Sequence, residues 1–123
     1  MSLAPFSTSR SPDAPTFREA RDLLLELGDD YHGARAAFVW PRPEHFNWAL
    51  DWFDAELAAG EHGRKTALKV IGDRVETRTF ADLRLESSRL ANGLRSLGAK
   101  RGDHLLMMLG VVPELWATML AAM

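Results

Sequence analysis

The stretch TFADLRLESSRLANGLRSLGAKRGDHLLMMLGVVPELWATMLAAM, residues Thr79–Met123, decides the fold of this chain. It opens on Thr79, with Asp82 three positions later. This is the spacing of a capping box, in which the hydroxyl accepts from a backbone N–H of the first turn and the carboxylate reaches back to the cap. Apolar residues then recur at helical intervals, and Gly98 suits the residue that ends a helix. The sequence therefore predicts a helix over residues 80–97.

The second half of this stretch continues with a turn, an apolar run and another helix. Residues 104–109 are nearly all apolar and of strand length, which is typical of a strand covered on both faces. Pro113 suits the first position of a helix, because its missing N–H would have no partner there. The sequence stops at Met123, inside this helix. We therefore expect a buried strand at 104–109, a truncated helix from Pro113, and a chain that is the opening piece of a larger domain.

A β-hairpin is predicted immediately upstream, over about residues 66–79. Two short alternating runs, 66–71 and 74–79, flank Gly72 and Asp73. Glycine at the first central position of a two-residue loop favours a type II′ turn, which joins antiparallel strands.

The amino-terminal half predicts two helices and little else that is regular. Residues 1–15 form a Ser/Pro-rich lead-in that we expect to be mobile. Thr16 and Glu19 have capping-box spacing and predict a helix over residues 17–27. Residues 29–43 are expected to be irregular, because two prolines favour extended backbone.

A further helix is predicted over residues 48–59, with Asn47 as its cap. One apolar face is expected on this helix. Its predicted members are Phe46, Ala49, Leu50, Phe53 and Leu57.

Composition excludes several classes of function. The chain has 123 residues, enough for one domain, and a net charge of −2 with both signs interspersed. Such a surface has no positive electrostatic field that would attract nucleic acid or an anionic membrane. No apolar run has the roughly 20 residues that span a bilayer. The absence of cysteine excludes disulfides and thiolate metal sites. We expect a cytoplasmic protein without nucleic-acid or membrane partners.

Side chains that could carry catalysis do not form a recognisable site. The histidines are too scattered for a metal-binding motif, and the acidic residues of the helix at 48–59 more simply form its solvated side. The positions considered are His32, His45, His62, His104, Asp51, Asp54 and Glu56.

The remaining candidates also have structural explanations. In the segment Gly98–Gly102, the glycines are explained as caps, and the basic residues as favourable charges at the carboxyl end of a helix. The sequence contains no phosphate-loop motif. Ser87 and Ser88 lie within a predicted helix with no nearby base. The four tryptophans, at helical spacing or nearby, are read as core residues. They are Trp40, Trp48, Trp52 and Trp116. The sequence predicts no catalytic, cofactor-binding or metal-binding residue.

The ordered set of segments resembles the start of the AMP-forming acyl-CoA synthetases, which belong to the adenylate-forming superfamily. Residues Thr79–Leu83 resemble the family's Thr-Tyr-x-Glu-Leu. Residues Ala91–Leu94 and Leu97–Asp103 are similar to its Ala-Asn-x-Leu and Leu-Gly-hydrophobic-x-x-Gly-Asp motifs. Upstream, Phe38–Pro41 and Phe46–Asp51 resemble a segment of the medium-chain and acetate-like branch.

This resemblance implies an α/β fold and a role in fatty acid metabolism. Residues 16–123 would be the amino-terminal portion of an AMP-binding synthetase domain, incomplete at its carboxyl end. The parent enzyme would use ATP, Mg²⁺ and CoA to activate a small carboxylic acid, whereas the family's ligand-binding motifs have no matching positions here. The fragment is thus expected to bind none of them and to be inactive without the remainder of the synthetase chain.

The alternative is a self-contained interaction module, in which Trp116 and neighbouring apolar residues bind another chain. Exposed apolar surface would favour self-association under either hypothesis.

Overall fold

The computed structural model describes residues 15–123. The predicted mobile lead-in at 1–15 lies outside the described residues, apart from Pro15. The chain divides into two compact units, one ending at Phe46 and the other comprising Asn47–Met123.

The first unit contains helix α1, Phe17–Leu27, as predicted. The Thr16 hydroxyl accepts from the Glu19 N–H at 3.2 Å, and the Glu19 carboxylate accepts from the Thr16 N–H at 2.7 Å. Gly28 ends the helix with a φ of 52°, a conformation that glycine adopts without steric cost. The local signals at both ends therefore determine this helix.

A second helix in this unit corrects the expectation of irregular structure over 29–43. Helix α2 comprises the seven residues Tyr31–Ala37. The Asp30 carboxylate caps it by accepting from the Gly33 N–H at 2.9 Å. Asp at this position satisfies an otherwise unpaired donor and so favours a helix start ahead of the prolines.

The second unit begins with a π-helix, Trp48–Leu57, where an ordinary helix over 48–59 was expected. The Asn47 cap is confirmed, because its side chain accepts from the Leu50 N–H at 3.1 Å. In a π-helix the hydrogen bonds join residues five apart, so the turns are wider than in an α-helix.

The wider winding changes which side chains are buried. Ala49, Phe53 and Ala58 enter the core, whereas Leu50 is 60% exposed, contrary to the predicted apolar face. Phe46 is also exposed. The predicted face is therefore confirmed for Ala49 and Phe53, which are buried, and for Leu57, which packs against the core, and it is wrong for Leu50 and Phe46.

A short 3₁₀ turn, His62–Arg64, leads into the predicted hairpin. Strands β1, Thr66–Ile71, and β2, Val75–Thr79, pair antiparallel. Ile71 lies opposite Val75, so three residues form the loop. The predicted type II′ turn is therefore wrong: Gly72 is not among the glycines with positive φ, as that turn requires.

Helix α3, Phe80–Ser96, follows directly, with Leu97 as its carboxyl cap. The predicted capping box is present: Thr79 and Asp82 exchange backbone and side-chain hydrogen bonds of 2.9 and 3.1 Å. Only the first half of the helix is buried, at Leu83 and Ser87. The apolar residues of its second half are partly or fully exposed.

Helix α4, Pro113–Ala121, packs beside α3 and begins at proline as predicted. Pro113 is fully buried. The core of this unit combines side chains from the π-helix and its end, α3 and α4, with the hairpin packed at its side. It consists of Ala49, Phe53, Ala58, Leu83, Ala117 and Leu120.

The predicted buried strand at 104–109 is not formed. Within residues 15–123 these residues belong to no sheet, and their backbone makes none of the hydrogen bonds found there. A strand satisfies its N–H and C=O groups only by pairing with a neighbour. In the described part of the chain, the two strands pair with each other, and 104–109 joins neither edge of that sheet.

The described elements are a mixture of helices and one antiparallel hairpin, consistent with the predicted α/β class as a fragment of an adenylate-forming domain. None of the helices in the described part of the chain combines the length and the apolar character needed to cross a membrane.

Candidate functional site

The histidines and acidic residues considered for metal binding do not converge. Within residues 15–123, no group of three or more His, Asp and Glu side chains could hold a metal ion. His45 is exposed, with its imidazole 3.8 Å from the Glu44 carboxylate. This contact does not fix the imidazole in an orientation suited to a metal ligand or a general base.

The acidic residues of the π-helix have separate environments rather than one shared site. The Asp51 carboxylate accepts from the Asn47 N–H at 2.7 Å and so caps the helix. Asp54 is mostly covered, with 18% of its side chain exposed. The expectation that these residues form a solvated side therefore holds for Asp51 and is wrong for Asp54.

Asp54 lies near Arg84 of helix α3, with 3.8 Å between carboxylate and guanidinium. Burial raises the pKa of Asp54, and the attraction of Arg84 opposes this rise without cancelling it. The pair joins the π-helix to α3. Its geometry explains a structural contact and offers no place for a substrate.

Arg78 is the centre of an ion-pair cluster that the sequence did not reveal. Its guanidinium donates to Glu86 of α3 at 2.9 Å and lies 3.6 Å from Glu76 of β2. The hydrogen bond to Glu86 raises the pKa of Arg78, which is already high, so the guanidinium stays charged. Residues eight apart across a strand-to-helix junction follow no local period, so pattern analysis had no signal for this contact.

The serines and the basic turn considered as catalytic or anion-binding groups have structural partners. The Ser87 hydroxyl is buried and donates to the Arg84 carbonyl at 3.0 Å. In the turn after α3, the Lys100 N–H donates to the Asp103 carboxylate at 2.8 Å. Gly98 and Gly102 have φ angles of 94° and 96°, consistent with their predicted roles in turns.

The tryptophans differ in environment. Trp116 packs against the core, as predicted, whereas Trp40 and Trp48 are exposed and the core prediction is wrong for them. Trp116 is only partly buried, so the interaction surface proposed around it stays a hypothesis.

The most distinctive surface of the described chain is the run of residues 104–112, here called the exposed run. It contains no charged Lys, Arg, Asp or Glu residue. Its large apolar side chains are exposed to differing degrees, and its segment 104–109 lacks hydrogen-bonding partners for the backbone. The exposed run combines apolar side chains with open backbone groups, and this combination suits strand pairing rather than catalysis.

The described residues give no positive indication of a binding site for Mg-ATP or CoA. No three carboxylates or imidazoles converge, and no buried side-chain nitrogen or oxygen in residues 15–123 lacks a hydrogen-bond partner. A site for these ligands would need converging donors and cations. The expectation that these residues include no catalytic or ligand-binding residue stays a prediction.

Comparison with known proteins gives a family match. A family model described as "AMP-binding enzyme" matches residues 55–123. No solved structure gives a significant match.

Several curated relatives are similar over much of the chain. Acetyl-coenzyme A synthetase of Streptomyces avermitilis is 34% identical over 84 residues, covering 67% of this chain and 13% of the relative. The enzyme of that name from Mycobacterium bovis is 30% identical, with 95% and 22% covered. 4-Hydroxybutyrate–CoA ligase 1 of Metallosphaera sedula is 38% identical, with 62% and 14% covered. The chain thus spans less than a quarter of the length of each.

Proposed function

Because the chain belongs to the AMP-binding enzyme family, we propose that it is the amino-terminal part of an AMP-forming acyl-CoA synthetase. In the proposed reaction, a carboxylate attacks the α-phosphate of ATP, and pyrophosphate leaves. The CoA thiol then attacks the acyl-adenylate carbonyl, giving the thioester and releasing AMP. The similarity to acetyl-coenzyme A synthetases is the observation that carries this proposal.

The proposed substrate of the parent enzyme is a small carboxylic acid, with acetate as the first to be tested. The names of two relatives, acetyl-coenzyme A synthetase and 4-hydroxybutyrate–CoA ligase, support a short carboxylic acid as the substrate. We place the enzyme in fatty acid metabolism and in the cytoplasm. ATP, Mg²⁺ and CoA would be bound by parts of the synthetase other than these 123 residues.

The proposed contribution of residues 16–123 is structural. The hairpin and α3 form a packed unit with the π-helix and α4, and the exposed run would complete a larger sheet with the remainder of the synthetase. The open backbone of 104–109 supports this role, since such groups are normally paired in a finished domain. The chain by itself would lack the groups that stabilise charge on the transferring phosphoryl.

The activity test is acetate-dependent exchange of labelled pyrophosphate into ATP. The expected result is no exchange above background with the 123-residue chain, and measurable exchange with the protein encoded when the reading frame is continued past Met123. Exchange by the 123-residue chain would contradict the proposed scaffold role. Failure of the longer protein to activate any short carboxylate would contradict the proposed synthetase activity.

A second hypothesis is a non-catalytic interaction or oligomerisation module. The exposed run favours it, because open strand edges are sites of association. The two hypotheses differ in the coding sequence downstream of Met123. A Gly- and Ser/Thr-rich loop ending in Lys is expected for the synthetase, whereas an immediate stop codon would favour the module.

A further inference from the structure

We draw no further inference here: the strongest candidate, the apolar exposed run of residues 104–112 between helices α3 and α4, belongs to the sheet already proposed for the longer protein, and nothing among residues 15–123 shows what else would cover it.

Discussion

At the scale of single residues, the two aspartates of the π-helix differ in the environment of their carboxylates. One carboxylate accepts a backbone hydrogen bond, and the other is covered by the protein. The Asp51 carboxylate accepts from the Asn47 N–H at the helix start, whereas Asp54 is largely covered and lies near the Arg84 guanidinium. Burial penalises the charged form of Asp54 more than Arg84 favours it. A carboxylate in this position lowers stability when it is ionised.

Asp54→Asn is therefore predicted to stabilise the chain at neutral pH. A pKa raised in the folded state means that the folded chain loses stability as pH rises from the unfolded pKa, about 3.9, through the folded pKa, and the loss persists above it. The gain from the substitution should thus be present at pH 7 and disappear below pH of about 3.9. Thermal unfolding at both pH values measures it.

Asp51→Asn is the control for this prediction. It weakens the cap hydrogen bond to Asn47 and should destabilise the chain by about 1 kcal/mol at pH 7. A lower melting temperature for Asp54→Asn at pH 7 would show that the attraction of Arg84 outweighs the cost of burial.

At the scale of elements, the π-helix determines which apolar side chains reach the core. Phe53 contacts the rings of Trp48 and Phe80, with centroids 5.7 Å apart in both pairs. Leu50, three positions earlier, faces solvent. In an α-helix, residues three apart lie on one face. The burial of Phe53 together with the exposure of Leu50 is therefore what distinguishes this helix from an α-helix.

Phe53→Ala is predicted to cost about 3–5 kcal/mol of unfolding free energy, because it empties a core position. Leu50→Ala is the matched change on the same helix and should alter stability by no more than about 0.5 kcal/mol. Urea denaturation measures both. Similar losses for the two variants would mean that Leu50 is also buried, contrary to its exposure in this structure.

At the scale of the whole molecule, stability is unevenly distributed within the second unit. The buried residues come from the π-helix and its end, the first half of α3, and α4, while the exposed run contributes none to the core. Segments with few apolar contacts and unpaired backbone open most easily. The exposed run should therefore be the least protected part of this unit.

Hydrogen exchange is predicted to reflect this difference. In dilute solution, the amides of 104–109 should exchange within the shortest time measured, because none is protected by a described hydrogen bond. Peptides from α4 and the first half of α3 should exchange far more slowly. Mass spectrometry of peptic peptides makes the measurement, and slow exchange at 104–109 in the monomer would show that the chain already covers this segment.

How much of this molecule could be predicted depended on the distance between interacting residues. Caps act over three or four positions, so Thr16, Asn47 and Thr79 located the starts of their helices correctly. The hairpin was predicted correctly for a similar reason, since its two strands adjoin each other in the sequence. The conformation of Gly72 within its loop was predicted wrongly. The Arg78–Glu86 contact crosses two elements and gave no local signal.

The sequence by itself determined the caps, the hairpin and the start of α4 at Pro113, because those depend on neighbouring residues. It also carried the ordered motifs behind the family resemblance. Only the tertiary structure decided the winding of the π-helix, the burial of Asp54 and the exposure of 104–109. The physical reason is that burial and strand pairing depend on partners distant in sequence, and an apolar run does not specify whether its partner is present.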